Sequence, residues 1–160
     1  MPSKPNHTLC CVFDGHGGSG AALFASEKLI QLIEETPEWQ EYAAKAEQDD
    51  PEIIGKTMSK AYFEMDRILR THQDTVSTAD KSGCTAVSCM ITPKYVVCVN
   101  AGDSRSVIGS DGTTIPLSED HKPCDDLEKT RIEKGKFMYV RSASLNHLLL
   151  ELNCNCFMLK

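Results

Sequence analysis

The chain has 160 residues, 41% hydrophobic and 25% charged, which is the composition of an ordinary globular protein with one core. Its net charge of −6 disfavours a nucleic-acid binder, because phosphate backbones require clustered Lys and Arg, but leaves a cation site open. No segment has the apolar length of a signal peptide or a membrane span, so we expect a cytoplasmic or nuclear protein that does not enter a membrane.

The first half of the chain predicts one strand followed by helices. Residues 8–13 (TLCCVF) form an apolar run that is typical of a short buried strand. Apolar residues recur at helical spacing over 18–33, and residues 38–50 predict a polar helical connection. Residues 51–72 predict a long amphipathic helix, with a buried stripe formed by Ile54, Met58, Ala61, Met65 and Leu69.

The second half changes to the period of β-structure. Residues 84–91 and 95–102 are β-branched runs joined by a short turn at Pro93, which predicts an antiparallel hairpin. Residues 104–117 continue as strands that turn at Asp111-Gly112, and residues 121–135 predict a helix. Helices followed by consecutive hairpins favour an α+β domain over alternating βαβ units.

The eight cysteines form no pair of C-x-x-C knuckles, and several lie in apolar runs. We therefore expect buried, reduced thiols, the usual state in a reducing compartment. A zinc site or a disulfide framework has no support in the spacing.

A glycine-rich segment follows the first predicted strand, at residues 12–20 (VFDGHGGSG). Its Gly15-x-Gly17-x-x-Gly20 spacing matches a dinucleotide fingerprint, with Glu34 and Glu35 about 20 residues further on. A dinucleotide site would need a second parallel strand after the helix, and here another helix follows. In addition, a carboxylate at position 14 would repel the pyrophosphate.

The residues that this reading leaves unused are Asp14 and His16. An Asp at the end of a strand can bind a hard cation, and a glycine beside it lets a backbone carbonyl reach the same ion. A neighbouring His can donate a proton to a leaving group, so Asp14-Gly15-His16 suits metal-assisted hydrolysis. The alternative is a glycine-rich turn in which the Asp14 carboxylate only accepts hydrogen bonds from the turn amides. From the residues alone, both remain open.

Five short segments occur in an order that is specific to one family. They are VFDGHGG (12–18), SGCTAV (82–87), NAGDSR (100–105), LSEDHKP (117–123) and EKTRIEKG (128–135). Together they resemble the metal-dependent serine/threonine protein phosphatases, the type 2C or PPM family. The resemblance implies a four-layer α-β-β-α sandwich of antiparallel sheets flanked by helices, of which this chain would form part. It predicts a phosphatase domain over residues 1–135 and a divergent tail over 136–160.

The resemblance also implies a site with two Mg²⁺ or Mn²⁺ ions and phosphoprotein substrates. Asp14 would bridge the metals, Gly15 would offer its carbonyl, Asp103 would serve a weaker third position, and His16 would be the general acid. A metal-activated hydroxide would then attack the phosphorus of phosphoserine or phosphothreonine directly. Arg105, His121 and the Ser82–Thr85 segment are predicted to be structural, and we expect a monomer.

Two features depart from the family pattern. The family has an Arg and two acids upstream of its Asp-Gly-His motif, whereas none of the 13 residues before Asp14 is Arg, Asp or Glu. After Gly135, where the family has further Asp-Gly and Asp-Asn motifs, Glu151 is the only acid. We therefore expect a chain truncated at both ends, with a tail that a splicing or gene-model change could explain. The alternative function is a catalytically inactive, phosphatase-like fragment that binds partners.

Overall fold

The computed structural model describes residues 1–45, 49–71, 82–134 and 155–159. In chain order the elements are β1 (Thr8–Val12), β2 (Gly15–His16), α1 (Gly20–Glu35), α2 (Pro37–Ala44), α3 (Pro51–Thr71), β3 (Gly83–Cys84), β4 (Ala86–Ile91), β5 (Val96–Ala101), β6 (Val107–Ser110), β7 (Thr113–Pro116), α4 (Asp126–Lys134) and β8 (Asn155–Leu159). No helix among these residues is both long and apolar enough to cross a membrane.

The main sheet is antiparallel and has the strand order β1-β4-β5-β8. The predicted hairpin forms its centre, because β4 pairs with β5 across the turn at Pro93. Two smaller ladders pair β2 with β3 and β6 with β7, the latter across Asp111-Gly112. The mixture of helices and antiparallel strands confirms the predicted α+β class.

Helices α1, α2 and α3 cover one face of this sheet. The predicted stripe of α3 is buried at Ile54, Met58, Ala61 and Met65, while Leu69 is partly buried against the same core. This agreement arises because a continuous amphipathic pattern needs only local sequence to define its buried side. The rest of this core comes from α1, α2 and the alternate residues of β4 and β5, including Ala25, Leu29, Ile33, Trp39, Tyr42, Met90, Val97 and Val99.

The prediction that residues 8–13 form a buried strand is wrong. β1 lies at the sheet edge, most of its residues are exposed, and the Val12 side chain is 57% exposed. The cause is that the helices cover only one face of the sheet, so the alternate side chains of β1 meet little protein on the other. The expectation of buried thiols holds for Cys98 in the central strand β5 but not for Cys10 or Cys11, which lie in the edge strand β1.

The end of the chain has one described element. β8 pairs with β5 from Val96↔Leu159 to Asn100↔Asn155, and no boundary signal in residues 136–160 predicted this strand. Residues 135–154 lie outside the described residues, and the predicted domain boundary at 135/136 falls there. That boundary therefore stays a prediction.

Candidate active site

The Asp-Gly-His segment is held against the start of β4. The Thr85 amide donates to the Asp14 carbonyl at 2.9 Å, and the Asp14 amide donates to Thr85 Oγ1 at 3.3 Å. Gly15 and His16 then form β2, which pairs with Gly83 and Cys84. Two sequence motifs that are about 70 residues apart thus form one continuous backbone unit.

The Asp14 carboxylate is exposed, and among the described residues none donates a hydrogen bond to it. The turn that follows is made instead by backbone conformation, since Gly17 and Gly18 have φ values of 69° and 142°. The first turn of α1 is capped from across the chain, because the Ala21 amide donates to Ser82 Oγ at 2.9 Å. The alternative in which Asp14 serves the turn amides therefore does not describe this structure.

His16 is half-buried, and its ring lies against Gly83. A Cβ atom added to Gly83 would be 2.5 Å from His16 Nε2, a distance that real Cβ atoms do not adopt. A residue with a side chain at position 83 would therefore displace the His16 ring. The glycine of the SGCTAV motif is explained by this close approach.

Asp103 lies in the loop after β5 and is exposed. The loop turns at Gly102, whose φ of 104° is rarely adopted by other residues, and a Cβ there would be 2.9 Å from the Thr85 side chain. Ser104 Oγ lies 2.6 Å from Thr85 Oγ1. Thr85 therefore hydrogen-bonds to both acidic loops, the one that carries Asp14 and the one that carries Asp103.

Sequence reasoning assigned Thr85 only to a strand and missed this connection. The hydroxyl joins residues 71 positions upstream and 19 positions downstream, so no local pattern shows it. The signal that could have drawn attention to it is a polar residue between two apolar positions at the start of a core strand.

The structural roles predicted for Arg105 and His121 are confirmed by their contacts. Arg105 makes two hydrogen bonds to the Asp120 carboxylate, at 2.8 and 3.0 Å, and with Lys122 it lowers the pKa of Asp120 to about 2. His121 is 6% exposed, and its Nδ1 accepts from the Gly102 amide at 3.3 Å. Burial lowers the pKa of His121, which favours the neutral ring that this bond requires.

The described residues offer donors of the right type for Mg²⁺ or Mn²⁺, but few of them. Asp14 and Asp103 carry exposed carboxylates, and hard divalent cations prefer such oxygen ligands. Among the described residues, however, no three His, Cys, Asp or Glu side chains come together as a metal group. Two carboxylates among the described residues are too few to offset the repulsion of the pair of ions that the resemblance implies.

The sequence profile described as Protein phosphatase 2C matches residues 1–149. Among curated proteins, the chain is 38% identical over 131 residues to "Protein phosphatase 2C homolog 2" of Schizosaccharomyces pombe, covering 81% of this chain and 32% of the relative. It is 36% identical over 144 residues to "Probable protein phosphatase 2C 5" of Paramecium tetraurelia, covering 84% and 45%.

A solved structure shares the fold. The serine-threonine phosphatase 2C of Toxoplasma gondii superposes with a TM-score of 0.71 at 22% identity, covering 84% of this chain and 46% of that one. This chain therefore spans less than half the length of each of these proteins. Because the family profile covers most of its residues, the chain belongs to the protein phosphatase 2C family.

Proposed function

We propose that this chain carries part of the active site of a Mg²⁺- or Mn²⁺-dependent phosphatase that hydrolyses phosphoserine and phosphothreonine in proteins. The observation that carries the proposal is the state of Asp14. Its backbone is fixed by two hydrogen bonds to Thr85, while its carboxylate is exposed and accepts no hydrogen bond from the described residues. Because the backbone of Asp14 is already fixed, only the side-chain freedom of its carboxylate would be lost on binding a cation.

The residues of the Asp-Gly-His segment have different roles in this proposal. The Asp14 carboxylate and the Gly15 carbonyl hold a divalent cation, and Asp103 offers a further carboxylate from the neighbouring loop. When bound, such a cation supplies Lewis-acid activation of water and of the phosphate. His16 donates a proton to the departing seryl or threonyl oxygen, which would otherwise leave as a strongly basic alkoxide.

Thr85 is a positioning residue in this arrangement. It contacts the backbone at Asp14 and the side chain of Ser104, so it fixes the separation of the two acidic loops. His121 and Arg105 act one step further out, because they hold the Gly102 turn and the segment that follows it.

A second candidate function is a phosphatase-like chain that binds a cation or a protein partner without hydrolysis. The observation that favours it is that the described residues contain no group of three metal-ligating side chains. A stable pair of divalent ions needs several carboxylates to offset their mutual repulsion.

A paired measurement separates these functions. Hydrolysis of a phosphothreonine peptide with Mn²⁺ is compared between the chain and Asp14→Asn, and Mn²⁺ binding is measured on both by calorimetry. The matched control is Asp111→Asn, since Asp111 is exposed in the β6–β7 turn and its φ of 50° suits Asn. We expect Asp14→Asn to lose hydrolysis and binding by tenfold or more, and Asp111→Asn to change neither.

His16→Gln tests the acid role within the same assay. We expect hydrolysis to fall by roughly 10²-fold or more while Mn²⁺ binding is retained, because a general acid acts on the leaving group and not on the cation. Equal hydrolysis by the chain and Asp14→Asn would contradict the phosphatase proposal. Mn²⁺ binding that depends on Asp14, without any hydrolysis, would establish the second candidate.

A further inference from the structure

Three cysteines form one row across the main sheet, on the face opposite α1 and α3. In the strand register Cys10 lies opposite Cys89, and Cys89 lies opposite Cys98. All three are thiols in this structure, and the proposed phosphatase chemistry uses none of them. Cys98 is buried with Val87 and Leu117 in a small cluster that is separate from the main core.

The backbone hydrogen bonds show which two of these thiols are closer. The Thr92 amide donates to the Tyr95 carbonyl at 2.9 Å, so these residues form a hydrogen-bonded pair beside the turn. Hydrogen-bonded and non-hydrogen-bonded pairs alternate along an antiparallel ladder. Cys89 and Cys98 lie three pairs further on and therefore form a non-hydrogen-bonded pair.

The hydrogen bonds between β4 and β1, on the other side of β4, lead to the same assignment of the cysteine pairs. The Thr85 amide donates to the Asp14 carbonyl, so Thr85 directs its backbone bonds towards β1. Cys89 is four residues further along the chain, in β4, so its backbone N–H and C=O groups also point towards β1. Cys10–Cys89 is therefore the hydrogen-bonded pair. Opposed Cα atoms are about 5.5 Å apart in a hydrogen-bonded pair. In a non-hydrogen-bonded pair they are about 4.5 Å apart, and the side chains are closer.

These dimensions favour one disulfide over the other. A disulfide needs Cβ atoms about 3.5–4.5 Å apart, which the closer, non-hydrogen-bonded pair approaches with the least backbone movement. In addition, the side chains of Cys89 and Cys98 already hydrogen-bond to each other. The geometry thus selects Cys89–Cys98.

Cys89 also has the surroundings of a reactive thiol. It is half-buried and lines an open cavity of about 300 Å³, together with Cys10 and Ile108, so a small reagent can reach it. Its sulfur lies 3.0 Å from Ser106 Oγ. The hydrogen bonds from Cys98 and Ser106 lower the pKa of Cys89 in spite of its burial, and the thiolate is the form that reacts. Cys98 is 1% exposed, so Cys89 is the more accessible of the two thiols.

We propose that Cys89 and Cys98 form a reversible disulfide when a peroxide reaches the open face of the sheet. The Cys89 thiolate attacks one peroxide oxygen, the O–O bond breaks, and the hydroxide that leaves takes up the proton that the thiol had released, so the products are a sulfenic acid and water. The Cys98 sulfur then attacks the Cys89 sulfur, and the S–O bond breaks to release a second water. Two thiols and one H₂O₂ become one disulfide and two waters, and a dithiol reductant restores the thiols.

Peptide mapping of the full chain tests this directly. The chain is treated with hydrogen peroxide, remaining thiols are alkylated, and the protein is digested with trypsin. Cleavage after Lys81, Lys94 and Arg105 places Cys89 in 82–94 and Cys98 in 95–105. We expect these two peptides to be joined through Cys89 and Cys98, and separated again by dithiothreitol. Fragmentation of the joined peptides distinguishes Cys89 from Cys84.

Matched variants provide the controls. Cys10→Ser should keep the link, Cys89→Ser should abolish it, and Cys98→Ser should leave a Cys89 sulfenic acid that dimedone traps. Ser106→Ala should slow alkylation of Cys89 by iodoacetamide several-fold at pH 7, with little change at pH 10. A disulfide between Cys10 and Cys89 in protein that has not been treated with peroxide would overturn the proposal. Peroxide oxidation of all cysteines to the same extent, without a Cys89–Cys98 disulfide, would also overturn it. Neither outcome depends on phosphatase activity.

Discussion

Replacing Thr85 with Val would test whether one hydroxyl holds the two acidic loops together. The substitution keeps the branched shape and the methyl group that lies 2.9 Å from the position of a Cβ on Gly102. It removes the acceptor of the Asp14 amide at 3.3 Å and the partner of Ser104 Oγ at 2.6 Å. A net hydrogen bond contributes about 0.5–1.5 kcal/mol, and the longer one lies at the weak end. We therefore expect the free energy of unfolding to fall by about 1–2 kcal/mol.

The assay is urea unfolding of Thr85→Val, Ser104→Ala and the double variant. Because the single variants remove the same 2.6 Å hydrogen bond, the double variant should lose less than their sum, with a coupling of about 1 kcal/mol. Thr130→Val is the matched control, since Thr130 is exposed on α4 and its hydroxyl donates to the Asp126 carbonyl of the same helix. We expect it to cost less than about 0.5 kcal/mol.

A local measurement completes this test. Hydrogen exchange at the Asp14 amide should accelerate in Thr85→Val, because that amide loses its acceptor. A coupling below about 0.3 kcal/mol between positions 85 and 104 would refute the reasoning, and so would an unchanged Asp14 exchange rate.

Gly102→Ala should lower the free energy of unfolding in urea by more than about 2 kcal/mol, because backbone strain at φ 104° adds to a 2.9 Å clash between the new Cβ and the Thr85 side chain. Gly112→Ala is the control, since a Cβ there meets no atom within 4 Å and only the strain at φ 75° remains. For Asp120, the Arg105 guanidinium lowers the folded pKa to about 2 from 3.8, so its stabilisation is present above pH 3.8 and lost as the pH falls through about 2. Unfolding midpoints of the chain and Asp120→Asn should therefore converge near pH 2, and the difference at pH 5 should shrink with salt. Burial lowers the pKa of His121, so the stabilisation from its neutral ring is present above the ordinary pKa of 6.5 and is lost as the pH falls below it. In His121→Gln, the free energy of unfolding should therefore depend less on pH below 6.5.

The elements that could be predicted are those whose pattern is local and repeated. α3 has a buried stripe over about four turns, and β4 and β5 are joined by a short turn, so neighbouring residues define both. α4 begins at Asp126 and not near His121, because the segment before it forms a turn in which the Asp125 amide donates to the Lys122 carbonyl. Helix ends depend on single contacts, which periodicity does not contain.

The residues of the candidate site also fall into a group that local sequence predicts and a group that it does not. Asp14, Gly15 and His16 are adjacent in sequence, so their motif could be recognised before the fold was known. The contacts of Thr85 and the approach of Gly83 to the His16 ring connect distant segments, and only the folded chain contains them. The exposure of β1 could not be predicted either, since an apolar run has the same sequence whether one or both of its faces are covered.

The cysteine pair and the acidic loops share the same two strands, which limits how one can affect the other. Cys89↔Cys98 lies three pairs, or roughly 10 Å, from Ala86↔Ala101, where the strands lead into Thr85 and Gly102. A disulfide between strands that are already paired adds no displacement at that end, so oxidation should leave the Mn²⁺ binding that we propose for Asp14 nearly unchanged. Its effect should instead appear as a higher urea midpoint for unfolding, because the bond constrains the unfolded chain. Oxidised chain that loses Mn²⁺ affinity would show that the hairpin is not rigid and that the strand centre and its end move together.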